Sequence, residues 1–157
     1  MKKFALTICA LSIVALSFGQ STIDQSKMQF NAGVGLSYGY YSAFPVYIGA
    51  DYWINPDITL GLEASFRLGL HHSGFGGTVN ANYHFNKILQ LPENLDAYAG
   101  VSAGPFFFLG DYWANPLHVD FHFQIGGRYK INDKMWVNAE VGGGSFSGGK
   151  IGITLMR

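Results

Sequence analysis

The side chains best suited to acid–base or metal chemistry in this 157-residue chain are its five histidines, and their spacing argues against both uses. His71 and His72 are adjacent, His118 and His122 are four apart, and His84 stands alone. No HxH, HExxH or CxxC spacing occurs. Neighbouring residues in extended chain splay to opposite sides, so His71-His72 makes a poor metal clasp. No GxSxG raises a serine as nucleophile. Gly142-Gly143-Gly144 and Gly148-Gly149 follow no dinucleotide pattern and read as a flexible loop. The sequence therefore predicts no catalytic residue, no metal site and no cofactor, and the chain reads as a non-enzyme.

A second set of ionisable residues is more informative. Asp51, Glu63, Arg67, Asp120, His122, Arg128, Lys130 and Glu140 all lie in segments where apolar and polar residues alternate, and all fall on the polar side. Ile58 to Leu70 is the clearest such segment. Ile58, Leu60, Leu62, Ala64, Phe66, Leu68 and Leu70 are apolar, and Thr59, Gly61, Glu63, Ser65, Arg67 and Gly69 are polar or small. Period two over thirteen residues specifies a strand, because a helix would scatter the same apolar set around its surface.

The same test finds seven more strands, over Phe30–Tyr40, Val46–Trp53, Gly77–Phe85, Ala97–Phe108, Val119–Ile131, Met135–Gly143 and Lys150–Arg157. Eight strands of about 8 to 13 residues suit a closed antiparallel up-and-down transmembrane β-barrel. Asn55-Pro56-Asp57 and Asn132-Asp133 read as tight turns, and residues 86–95 as a longer link with room for one helical turn. These three connections are expected on the periplasmic side. The other four, over 41–45, 71–76, 110–118 and 144–149, are expected outside, and all are short.

Composition agrees with a membrane barrel. Charged residues make up 13%, about half the usual share, while aromatics reach 16% and glycine 21 residues. No apolar stretch after the N-terminus approaches the ~18 residues that mark a membrane helix. The polar face is rich in glycine, which a solvent-facing surface does not require but a narrow eight-stranded lumen does. The polar face should thus point inward and the apolar face outward. Phe30, Tyr52, Tyr83, Phe85 and Tyr129 near one set of strand ends, with Tyr38, Tyr40 and Phe107 near the other, match two interfacial girdles.

Glu63 and Glu140 come out near mid-height, with Arg67 one pleat above Glu63 and Arg128 on the strand beside Glu140. A plug of salt bridges and hydrogen bonds is expected there, since an unpaired buried charge costs several kcal/mol.

The N-terminus reads as an export signal. Met1-Lys2-Lys3 is a basic lead, Phe4 to Phe18 is apolar, and Ser17-Phe18-Gly19 offers small residues for a cut before Gln20. Cys9 follows too short an apolar run for a lipoprotein signal. The expected organisation is a signal peptide over 1–19, a short lead over 20–27 and the barrel over 28–157. The mature chain would hold 8 Lys+Arg against 10 Asp+Glu, without a basic patch, which argues against nucleic acid as a partner.

Four stretches resemble the short outer-membrane barrels of the OmpA/OmpX type: Phe30 to Tyr40, Tyr83-His84-Phe85-Asn86, Leu91 to Gly100, and Ile151 to Met156. The resemblance implies the cell outer membrane, contact with its lipid and lipopolysaccharide, and a barrel-insertion machinery as partner. It carries no catalytic residue to transfer. Such barrels often end in an aromatic residue, whereas this sequence ends Leu155-Met156-Arg157 with its alternation intact. The function expected is structural or surface-interacting, around a largely plugged polar lumen. A narrow channel for small solutes or ions, a lipid-modifying enzyme and a soluble periplasmic lipocalin-like carrier are the alternatives.

Overall fold

The computed structural model describes residues 27–38, 43–69, 73–109, 117–145 and 147–157. The expected signal peptide lies outside the described residues, as do Tyr40, Leu70, His71 and His72. Strands run over Met28–Tyr38 (β1), Ala43–Asn55 (β2), Ile58–Gly69 (β3), Ser73–His84 (β4), Leu95–Leu109 (β5), Leu117–Asn132 (β6), Met135–Gly144 (β7) and Ser147–Met156 (β8). A single helical turn, α1 (Asn86–Leu89), links β4 to β5. Every strand pairs antiparallel with its neighbours in sequence, and β8 returns to β1 from Gln29↔Met156 to Tyr38↔Ser147. The result is a closed eight-stranded up-and-down barrel. Closure lets the backbone groups pair within the sheet and leaves no edge strand.

Alternation in sequence becomes alternation across the wall. Along β3, Leu60, Leu62, Ala64, Phe66 and Leu68 are exposed, while Thr59, Gly61, Glu63, Ser65 and Arg67 turn inward. The pattern repeats on β6, where Phe121, Phe123 and Ile125 are exposed and Asp120, Gln124 and Arg128 are buried. Among the described strand residues, none that points outward carries a charge. The polar face is inside, opposite to a lipocalin-like carrier, which would hold its apolar face within.

The strands are longer than alternation alone indicated. β2 begins at Ala43, β4 at Ser73, β6 at Leu117 and β8 at Ser147, all inside stretches expected to be loops. Pro45 and the glycine-rich runs break the side-chain pattern, but cross-strand pairing recruits their backbones. Gly148 and Gly149 pair with Ser37 and Leu36, for example. The tight turns behave as expected: Asp57 N–H donates to Asn55 Oδ1 at 2.8 Å, and Lys134 N–H to Asn132 Oδ1 at 3.0 Å. We call this the turn end of the barrel; the opposite end carries the other four connections.

Candidate functional site

The interior holds the polar chemistry of this molecule, and it is built in levels. Nearest the turn end, His84 Nδ1 sits 2.8 Å from Asp96 Oδ1 and His84 Nε2 sits 3.2 Å from Thr59 Oγ1. Hydroxyl, imidazole and carboxylate stand in the order of a nucleophilic triad. Thr59 is nevertheless 0% exposed and His84 1%, and the Trp53 ring lies 4.2 Å from the imidazole. The hydroxyl is sealed from solvent, and the three groups are packed and hydrogen-bonded to one another.

One level up, Arg128 Nη1 donates to Gln29 Oε1 at 2.7 Å. Its guanidinium also lies 3.7 Å from Asp96 and 4.0 Å from Asp51, and 4.6 Å over the Tyr98 ring. Asp51 Oδ2 in turn accepts from Gln29 at 3.0 Å and from Asn31 at 2.6 Å. The network continues from Thr154 to Asn31, from Asn138 to Thr154 and from Tyr47 to Asn138, at 2.7, 2.8 and 3.1 Å. It ties β1, β2, β6, β7 and β8 together across the axis. Tyr98 fits because β6 carries Gly126 opposite it; a Cβ there would run into the phenol ring.

At mid-height Lys150 lies between two carboxylates, 2.7 Å from Glu63 Oε2 and 3.2 Å from Glu140 Oε2. Its ammonium also lies 4.6 Å from the Tyr47 ring centre. Tyr98 donates to the other oxygen of Glu140 at 2.8 Å. Above this, Arg67 Nη2 donates to Asp120 Oδ2 at 2.7 Å and its guanidinium lies 4.7 Å over Phe106. A cavity of about 50 Å³ occupies this upper half, lined by Glu63, Arg67, Asp120, His122, Glu140 and Lys150. At roughly 10–15 Å³ per water centre, it has room for a handful of waters.

The structure thus brings seven of the eight sequence-derived residues into the lumen, and separates them into levels. Asp51 and Arg128 lie low, Glu63 and Glu140 at the middle, Arg67, Asp120 and His122 above. Lys130 is the exception. It lies at the turn end, a third exposed, and pairs with Asp133 of the adjoining turn at 2.9 Å. It is the third residue from the end of β6, below the level where the lumen closes, so its long side chain swings to the nearest acid.

The pairing also differs from the expected one. Glu63 and Glu140 are served by Lys150, not by Arg67 or Arg128. Arg67 and Glu63 are four residues apart on one strand, roughly 13 Å at 3.3 Å per residue, so Arg67 reaches across to β6 instead. Lys150 and Asp96 are lumen charges absent from the sequence-derived set. Both obey the alternation: Lys150 is in phase with inward Gly152 and Thr154, and Asp96 with Tyr98. Lys150 opens the last strand expected from the sequence and is in phase with its polar face, and extending the Ala97–Phe108 strand by one residue would have added Asp96.

Among the described residues, no group of three or more His, Cys, Asp or Glu is placed to hold a metal ion. No family model and no curated protein matches this chain. Solved structures do. Neisserial surface protein A aligns with a TM-score of 0.63 at 14% identity, over 83% of this chain and 96% of that one. The N-terminal β-barrel domain of Pseudomonas aeruginosa OprF aligns at 0.60 and 13% identity, over 82% and 95%. A structure from a study of de novo designed transmembrane β-barrels aligns at 0.58 and 17%, over 82% and 92%. At these identities the likeness concerns the fold: the chain has the architecture of a small eight-stranded barrel.

Proposed function

We propose that this protein is an integral outer-membrane β-barrel with a structural or surface-interaction role and a lumen plugged by its own polar side chains. The observation that carries this reading is the outer surface. Away from the strand ends, outward residues on every strand are apolar and uncharged, with Ile48, Leu62, Ile125, Val141 and Ile151 each more than 60% exposed. In water, so continuous an apolar surface would drive aggregation; against lipid tails it is the stabilising face. The likeness to Neisserial surface protein A and to the OprF barrel domain adds weight to the outer membrane as its location. Lipid, lipopolysaccharide and the barrel-insertion machinery are the partners this reading entails.

The plug is supported by the lower lumen, where Gln29, Thr59, His84 and Thr154 are at most 1% exposed. A narrow channel is the second reading, favoured by the cavity above mid-height. The membrane reading is tested by fractionation and by SDS gels with and without boiling. The protein is expected in the outer membrane, with unboiled and boiled samples migrating differently. A single mobility and a soluble periplasmic location would overturn it.

A further inference from the structure

The charges of the upper lumen do not balance. Tyr47 and Tyr98, 2% and 1% exposed, close the lumen beside Lys150 and Glu140. Beyond them the cavity is lined by three carboxylates, Glu63, Asp120 and Glu140, and by two permanent cations, Arg67 and Lys150. Lys150 serves both glutamates, and Arg67 serves Asp120. Among the described lining residues one negative charge is left over. Inside a protein such a charge is costly until a counter-charge meets it.

Two acceptors in the same cavity lack a donor. Arg67 takes Oδ2 of Asp120, while Oδ1 of that carboxylate is buried with no hydrogen bond, in a residue only 3% exposed. Ser102 is 8% exposed, lines the cavity and forms no side-chain hydrogen bond among the described residues. Its hydroxyl lacks a partner independently of the charge imbalance. The β5–β6 register sets Gly104 opposite Asp120 and Ser102 opposite His122, so Ser102 and Asp120 are diagonal neighbours on the inner face. Diagonal neighbours stand roughly 7–8 Å apart. A group between them with donors on two sides reaches both at about 2.9 Å.

Size and chemistry narrow the occupant. The cavity measures about 50 Å³ and runs to Ser147, which is exposed at the first position of β8. At 10–15 Å³ per centre it takes a cation of roughly four heavy atoms. No group of three or more His, Cys, Asp or Glu among the described residues is placed for a metal ion. What the cavity offers is a carboxylate oxygen and a hydroxyl oxygen, which suit a cation that carries N–H donors.

We propose that the upper lumen cavity binds one small monocation of the guanidinium or alkylammonium class, which donates to Asp120 Oδ1 and Ser102 Oγ and balances the third carboxylate. The polar plug is then the floor of a ligand site that faces the loop end of the barrel. The site lies inside the barrel wall, so it goes beyond the structural reading above and does not depend on what surrounds the wall.

The test is an NMR titration of the full barrel in nonionic detergent micelles with guanidinium chloride. Sodium chloride and tetramethylammonium chloride, at matched ionic strength, supply cations without N–H donors. His122 lines the same cavity, so the titration is run near pH 8, above the ordinary range of an imidazole. Guanidinium is expected to shift the amides of Ser102, Asp120 and Glu63 saturably, and the other two cations to leave them unmoved. Asp120→Asn leaves two carboxylates facing two cations and is expected to weaken binding roughly tenfold. Ser102→Ala removes one acceptor, changes no charge and breaks no described hydrogen bond, so the barrel is expected to keep its gel mobility while binding weakens roughly fivefold. Equal shifts with all three salts, no saturable shift with guanidinium (a cavity filled by water alone), or undiminished binding to both variants would each overturn the proposal.

Discussion

At Lys150 one ammonium stands between Glu63 and Glu140, and the local charge balance depends on it. Lys150→Met would leave two carboxylates facing each other, with only Tyr98 donating to one of them. Breaking a buried pair costs about 3–5 kcal/mol, and the cavity alongside, which could admit water, puts the expected cost at about 3 kcal/mol. The urea midpoint of the barrel in detergent should fall accordingly, and an unchanged midpoint would show that Lys150 does not hold the lumen together. The Lys130–Asp133 pair at the turn should behave in the opposite way. Hydrogen bonding and attraction from Lys130 hold the Asp133 carboxyl below its usual range. A depressed carboxylate contributes stability above its unfolded value and loses it as pH falls through the folded one. Asp133 is fully exposed, however, and solvent screens the pair. Asp133→Asn is therefore expected to leave the unfolding midpoint unchanged at neutral pH and ordinary salt.

At the scale of the element, each strand separates two environments, and depth along it should matter only on the outer face. Leu62→Arg places a cation midway along β3, where it would meet lipid tails, and is expected to cost about 2–4 kcal/mol; Ile131→Arg, near the turn end of β6, should cost about 0–1 kcal/mol. Equilibrium folding into vesicles measures both, and equal costs would mean that the outer face does not span a bilayer. Alternation made β3 legible to within one residue. It failed at β2, β4, β6 and β8, where Pro45, Gly74, Gly76, His118 and Gly148 break the pattern. Those strand ends are held by backbone pairing with a neighbour far away in sequence, which no local pattern records.

For the whole molecule, closure and filling go together. The lower lumen holds hydrogen-bonded side chains from all eight strands, so the purified protein in planar bilayers is expected to show no sustained single-channel current. A steady current would favour the channel reading and point to the cavity above Lys150 as its vestibule. Arg128 is the member most exposed to disruption by mutation, because it touches Gln29, Asp51, Asp96 and Tyr98 at once.

The sequence by itself determined the number of strands, the face each residue takes and the sign of that choice. Those properties follow from a period of two and from the need to keep a narrow lumen small and polar. It also placed seven of the lumen ionisable residues on the correct side. Which charge meets which was decided only by the tertiary structure. Ion pairs here join residues as far apart as Lys150 and Glu63, and their heights depend on the stagger between neighbouring strands around a closed ring. The hydrogen bond missing at Pro105 has the same origin: the proline is visible in the sequence, but only the register shows that its absent N–H falls opposite Gly77.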